Sequence, residues 1–189
     1  RMARLRNTTD ASRDSIMTDA SWIYEGAPTT TIAAPHLAGK TVDVLADGLP
    51  ILDVALDGNG ETELETPAST IIAGYRFPAE LHLLPLESGG DSGPALMKQG
   101  RNAKVALDLL NSDGLEIEVG GYAEPVQTAP FEQAPGTLPP LFTGAIWHDS
   151  IGAWDRDRAL IVRRVRPQPA TVRAIMTDQK VSQHGAMNQ

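Results

Sequence analysis

Ser92 lies in the run Gly90-Asp91-Ser92-Gly93-Pro94, small residues around a hydroxyl of the kind that could present a nucleophile. A hydroxyl of ordinary pKa needs a base within hydrogen-bond reach and a third group to orient that base. His36 and His82 are the upstream histidines, and neither stands in a context that supplies this arrangement. A flexible turn of small residues accounts for the same letters. Asp155 and Asp157 are spaced like the first ligands of a calcium loop, but Arg156 and Arg158 neutralise them and the later glycine and glutamate ligands are missing. Arg–Asp pairing at a turn is the simpler reading. His36, His82, His148 and His184 have no ligand-like spacing. Glu116 and Glu118 share one side of an alternating segment, where carboxylates of a glycosidase could sit, yet solvation of a polar strand face explains them. There is no cysteine and no phosphate-cradling glycine loop. The sequence therefore assigns no catalytic, cofactor-binding or metal-binding residue, and a non-enzymatic protein without cofactor is expected.

The elements that would position such groups read as strands. Of 189 residues, 41% are hydrophobic and 5% aromatic, with 17 Gly and 14 Pro, a balance that suits short strands and many turns. Residues 21–24 form an apolar and aromatic run ending at the turn signal Glu25-Gly26-Ala27-Pro28. Residues 29–33 are β-branched, and residues 41–46 alternate with Val42 and Val44 on one side, as a half-buried strand does. Asp47-Gly48 and Asp57-Gly58-Asn59-Gly60 punctuate an expected meander through residues 49–56 and 61–65. Residues 69–73 and 81–84 continue the series, and residues 95–101 are a candidate short helix or loop.

Val105, Leu107 and Leu109 alternate on one arm and Leu115, Ile117 and Val119 on the next, so residues 103–119 are expected to form a hairpin turning at residues 111–114. Residues 123–140, rich in Pro, Gln, Thr and Ala, are expected to be a long ordered loop. Strands are expected over residues 141–147, 160–164 and 171–176, with Trp154 and residues 155–158 at the turn between the first two. The fold class is all-β, an antiparallel β-sandwich or partly open barrel with long loops. Residues 1–20 read as a polar lead-in or linker, 21–177 as the β-rich domain and 178–189 as a flexible tail. The opening Arg1 suggests a piece of a longer protein.

A net charge of −8 and a pI near 4.9 argue against gripping a phosphate backbone. Asp43, Asp47, Asp53, Asp57, Glu61, Glu63, Glu65, Glu80 and Glu87 outnumber Lys40 and Arg76 in the same stretch, which reads as a solvated acidic face. No apolar run approaches the ~20 residues of a membrane-spanning helix, so stable membrane insertion is not expected.

Tyr24-Glu25-Gly26-Ala27-Pro28-Thr29-Thr30-Thr31-Ile32, followed by residues 36–48 (HLAGKTVDVLADG), resembles the C-terminal region of the tail tubular, or nozzle, proteins of short-tailed bacteriophages. Further markers follow in the same order: Pro67-Ala68-Ser69 with Ile71 to Tyr75, the leucine-rich residues 81–87, Gln99-Gly100-Arg101, Pro140-Leu141-Phe142-Thr143-Gly144 before Trp154, and Pro167-Gln168-Pro169 leading into Thr171 to Met176. The similarity covers most of residues 16–177. It departs at Ala33-Ala34-Pro35, where the family often has Gly-Leu-Asp, and in a longer insertion at residues 89–95.

The resemblance implies a tail-assembly domain in the virion tail, a subunit of a ring of its own copies, usually sixfold, below the portal and adaptor. Its implied partners are that adaptor, other tail proteins and tail fibres, with genome DNA passing through non-specifically and transiently. It carries over no catalytic residue. In such a ring, residues 16–24 and 123–140 are expected to lie against neighbouring subunits. The alternative is a receptor- or glycan-binding tail module, for which exposed aromatics would be needed; Trp22, Trp147 and Trp154 read as embedded in strands. A tail-associated hydrolase is a third option, weakened by the missing site.

Overall fold

A computed structural model describes residues 17–84, 98–128, 140–155 and 159–182. The described chain is almost entirely antiparallel strand: β1 (Thr18–Ala33), β2 (Thr41–Ala46), β3 (Leu49–Ala55), β4 (Glu61–Arg76), β5 (Ala79–Leu83), β6 (Gly100–Ser112), β7 (Leu115–Val119), β8 (Tyr122–Pro125), β9 (Phe142–Asp155), β10 (Leu160–Arg164) and β11 (Val172–Val181), with one short 3-10 turn at Pro35–Leu37. They form three sheets, ordered β1-β4-β2-β3, β5-β10-β7-β8 and β11-β6-β9, and none closes into a barrel. The all-β, sandwich-like class read from the sequence holds.

In the first sheet, Asp47 and Gly48 take positive φ of 47° and 86° and close the β2–β3 hairpin with the backbone twist that favours such tight turns. The meander ends there. β4 does not continue beside β3 but lies between β1 and β2, because its 16 residues pair with β1 along nearly their whole length. Residues 61–65 and 69–73, expected as separate strands, are one strand. The turn signal at residues 25–28 is a register shift inside β1 rather than a chain reversal. β2 is buried on both faces, Asp43 included, where alternation suggested half-burial. The core beneath these strands is built from Ile32, Leu37, Val42, Val44, Leu64 and Ile71 with their neighbours.

The other two sheets face each other over a second core. Val105, Leu107 and Leu109 of β6 meet Leu115, Ile117 and Val119 of β7 there, all 4% exposed or less. The two arms are therefore not a hairpin. β6 pairs with β9 and β11, while β7 pairs with β8 and β10 in the opposite sheet. The turn explains the difference, since its polar groups bond sideways to residues 165–171 instead of across the arms. Asp113 N donates to Pro169 O at 2.9 Å, Val165 N donates to Gly114 O at 3.0 Å, and Ser112 Oγ accepts from Thr171 N at 2.7 Å. Alternation records one buried face per arm, and facing sheets satisfy it as well as a hairpin does.

Three further boundaries moved. β9 runs on through Trp154 to Asp155, β11 extends to Val181 by pairing with Gly100, and residues 123–125, expected as loop, belong to β8. Arg164 ties the two halves of the molecule, donating from Nη2 to Met17 O at 3.0 Å and to Phe77 O at 2.7 Å.

Candidate functional site

The residues singled out for chemistry do not converge. Ser92 and Asp157 lie outside the described residues, as do residues 95–97 and 129–139, while Gly100 and Arg101 open β6. His36 is exposed on the 3-10 turn, its Nε2 2.8 Å from Ala20 O. His82 lies on the exposed face of β5, 2.8 Å from Glu80 Oε2, and that hydrogen bond is the main reason the Glu80 carboxyl titrates below its ordinary range. Asp155 ends β9. Among the described residues no group of three or more His, Cys, Asp or Glu could hold a metal ion. No helix among the described residues is long and apolar enough to cross a membrane.

The acidic residues have mostly local structural work. Asp43, 2% exposed, accepts from Arg76 Nε and Nη2 at 2.7 and 2.9 Å, and Arg76 Nη2 also donates to Asp53 at 3.0 Å. These contacts raise the Arg76 pKa above its ordinary value, the hydrogen bond to Asp43 most of all. The carboxylate of Asp47 accepts the amides of Ser69 and Thr70, pinning the β2–β3 turn to the middle of β4. Asp57 accepts the amides of Glu61 and Asn59 and titrates below its usual value for that reason. The stretch is thus only partly a solvated face. Glu116 and Glu118 are likewise not bare carboxylates: they flank Arg163, which pairs with both and with Glu80 across the sheet.

Surface features, not reactive groups, distinguish the molecule. Trp147 is 63% exposed on β9, and it and Met176 of β11 flank the fully buried Ala106 of β6. Lys104, Thr177 and Asp178 complete a shallow depression of about 310 Å³ beside them. Trp154 is also exposed and has the Arg101 guanidinium 5.6 Å above its ring. Lying in a strand did not bury these rings. Trp22, by contrast, stacks on Tyr24 with ring centroids 6.2 Å apart and packs on the first core.

A second feature is an apolar groove of about 500 Å³ at the open side of the first sheet, between the β2–β3 hairpin and the first half of β4. No sequence motif marks it, because its lining comes from strands whose order in the sheet the sequence does not state. No protein-family model matches the chain, and no curated protein matches it.

Proposed function

We propose that this chain is a structural subunit of the tail nozzle of a short-tailed phage, standing in a ring of its own copies around the path that DNA takes at ejection. The observation that carries the reading is the presence of exposed apolar side chains on both of the sheets that face each other over the second core. Leu84, next to β5, is 86% exposed and Tyr122 of β8 is also exposed, while Trp147 and Met176 stand on the β11-β6-β9 sheet. A ring built from one kind of chain needs two different patches that fit each other, because its contacts are heterologous. The net charge of −8 supports a wall that does not hold DNA. The neighbours in this reading are further copies, the adaptor, other tail proteins and tail fibres.

A receptor- or glycan-binding tail module is the second reading, favoured by Trp147. An exposed ring beside Lys104, Thr177 and Asp178 offers an apolar platform with hydrogen-bonding groups at its margin. Sedimentation of the purified chain over a micromolar concentration series separates the two. The ring reading expects species larger than a monomer that shrink when Trp147 and Met176 are both changed to Ala. A monomer at every concentration, with Trp fluorescence quenched by oligosaccharides, would favour the second reading.

A further inference from the structure

β5 is an edge strand of a kind the other edges are not. Its residues 79–83 pair one for one with residues 160–164 of β10, without a register shift. Among the described residues no strand lies on its other side, and no backbone bond outside the sheet engages it. Register shifts interrupt β1, β3, β9 and β11, and β8 closes on Pro125. Residues 79–82 are all exposed. Phe77, Leu81 and Leu84, 59%, 49% and 86% exposed, gather three large apolar side chains at this one edge. Leu81 is opposite the buried Val162 of β10 and so lies on the side that faces the second core. Glu80 and His82 lie on the opposite side, where they bond each other at 2.8 Å.

We propose that this edge pairs with β5 of a second copy, antiparallel and about a two-fold axis through Leu81. The run Ala79-Glu80-Leu81-His82-Leu83 is complementary to itself in that register. Leu81 stands opposite the second copy's Leu81 and Ala79 opposite its Leu83, so the apolar side continues across the join. On the polar side Glu80 of each copy stands opposite His82 of the other, a carboxylate beside a ring N–H donor. The same register brings Leu84 of each copy beside Pro78 and Phe77 of the other and removes apolar surface from water. Pro78 has no N–H to share and ends the pairing. A two-fold contact is isologous, so it closes at a dimer and does not build a ring. Because it covers Leu84, which the ring reading assigns to a contact between neighbours, the dimer is the state of the chain outside the ring. The inference itself does not rest on that reading.

The test uses the full chain, which has no cysteine of its own. Leu81→Cys sets the introduced thiol opposite its own copy, with Cα atoms about 4.5–5.5 Å apart and within disulfide reach. Ala79→Cys leaves the two thiols about 13 Å apart along the strands. With diamide as oxidant, Leu81→Cys should form a disulfide-linked dimer at least about tenfold faster than Ala79→Cys. Sedimentation of the cysteine-free chain over a micromolar concentration series should show a reversible dimer. His82→Glu, which sets two carboxylates opposite each other on both sides of the axis, should weaken it by about tenfold. Trp147→Ala with Met176→Ala should leave it unchanged, since those side chains belong to the other sheet. Equal cross-linking at both positions would reduce the contact to chance collision and overturn the proposal. So would a chain that is monomeric throughout the series, an association that His82→Glu leaves unaffected, or one that only the Trp147 and Met176 changes abolish.

Discussion

Asp43, buried in β2, is held by Arg76 at the end of β4 through two hydrogen bonds of 2.7 and 2.9 Å. The two residues differ in exposure, 2% against 43%. Removing the arginine strands a buried carboxylate, with the Asp53 amide at 3.2 Å as its remaining described donor. Removing the aspartate leaves a cation that can reach water. Arg76→Ala is therefore expected to destabilise by about 3 kcal/mol, the lower end of the range for breaking a buried pair, and Asp43→Ala by less. Denaturant unfolding of both variants and the double variant checks the order; an equal or reversed cost contradicts it.

His148 lies on β9, its Nε2 buried and without a hydrogen-bond partner among the described residues. Burial pushes its pKa below the ordinary 6.5, with the Glu124 carboxylate opposing. The folded chain thus resists a proton that the unfolded chain accepts. This contribution is fully favourable above pH 6.5, falls as pH drops below 6.5, and levels off once the folded-state pKa is passed. His148→Leu should flatten the dependence of melting temperature between pH 7 and 5.5. An identical slope in the variant would show that other groups set it.

Ser112 is the joint between the two facing sheets, with Oγ accepting from Thr171 N at 2.7 Å and lying 2.9 Å from Leu110 O. Ser112→Ala leaves the Thr171 amide without that acceptor and should cost about 1–3 kcal/mol, the desolvation penalty of an unsatisfied buried donor. A neutral effect in equilibrium unfolding would mean that the turn is held by the bonds of Asp113 and Gly114 alone.

These cases mark what the sequence could and could not say. Val105, Leu107 and Leu109, with Leu115, Ile117 and Val119, identified two strands and their buried faces, because a period of two reports burial directly. It could not report their partners. Whether such arms pair edge to edge or face one another depends on where Ser112 and Asp113 find hydrogen bonds, and those partners lie more than 50 residues away in sequence. Similarly, Asp47-Gly48 announced its hairpin, whereas the insertion of β4 between β1 and β2 left no local trace. The apolar groove follows from that insertion and was equally hidden. Trp147 shows a third limit: a strand has two faces, and an aromatic on the outer one stays exposed.

The central claim, a ring subunit, is tested most directly by electron microscopy of the native particle that contains this chain. The measurement is the rotational symmetry around its channel, together with the area that residues 16–24 and 123–140 bury between copies. A closed ring of this chain is expected, sixfold as the family resemblance implies, with both segments covered by neighbours. A chain found singly at the periphery, with both segments facing solvent, would contradict it and leave the receptor-binding module as the better explanation.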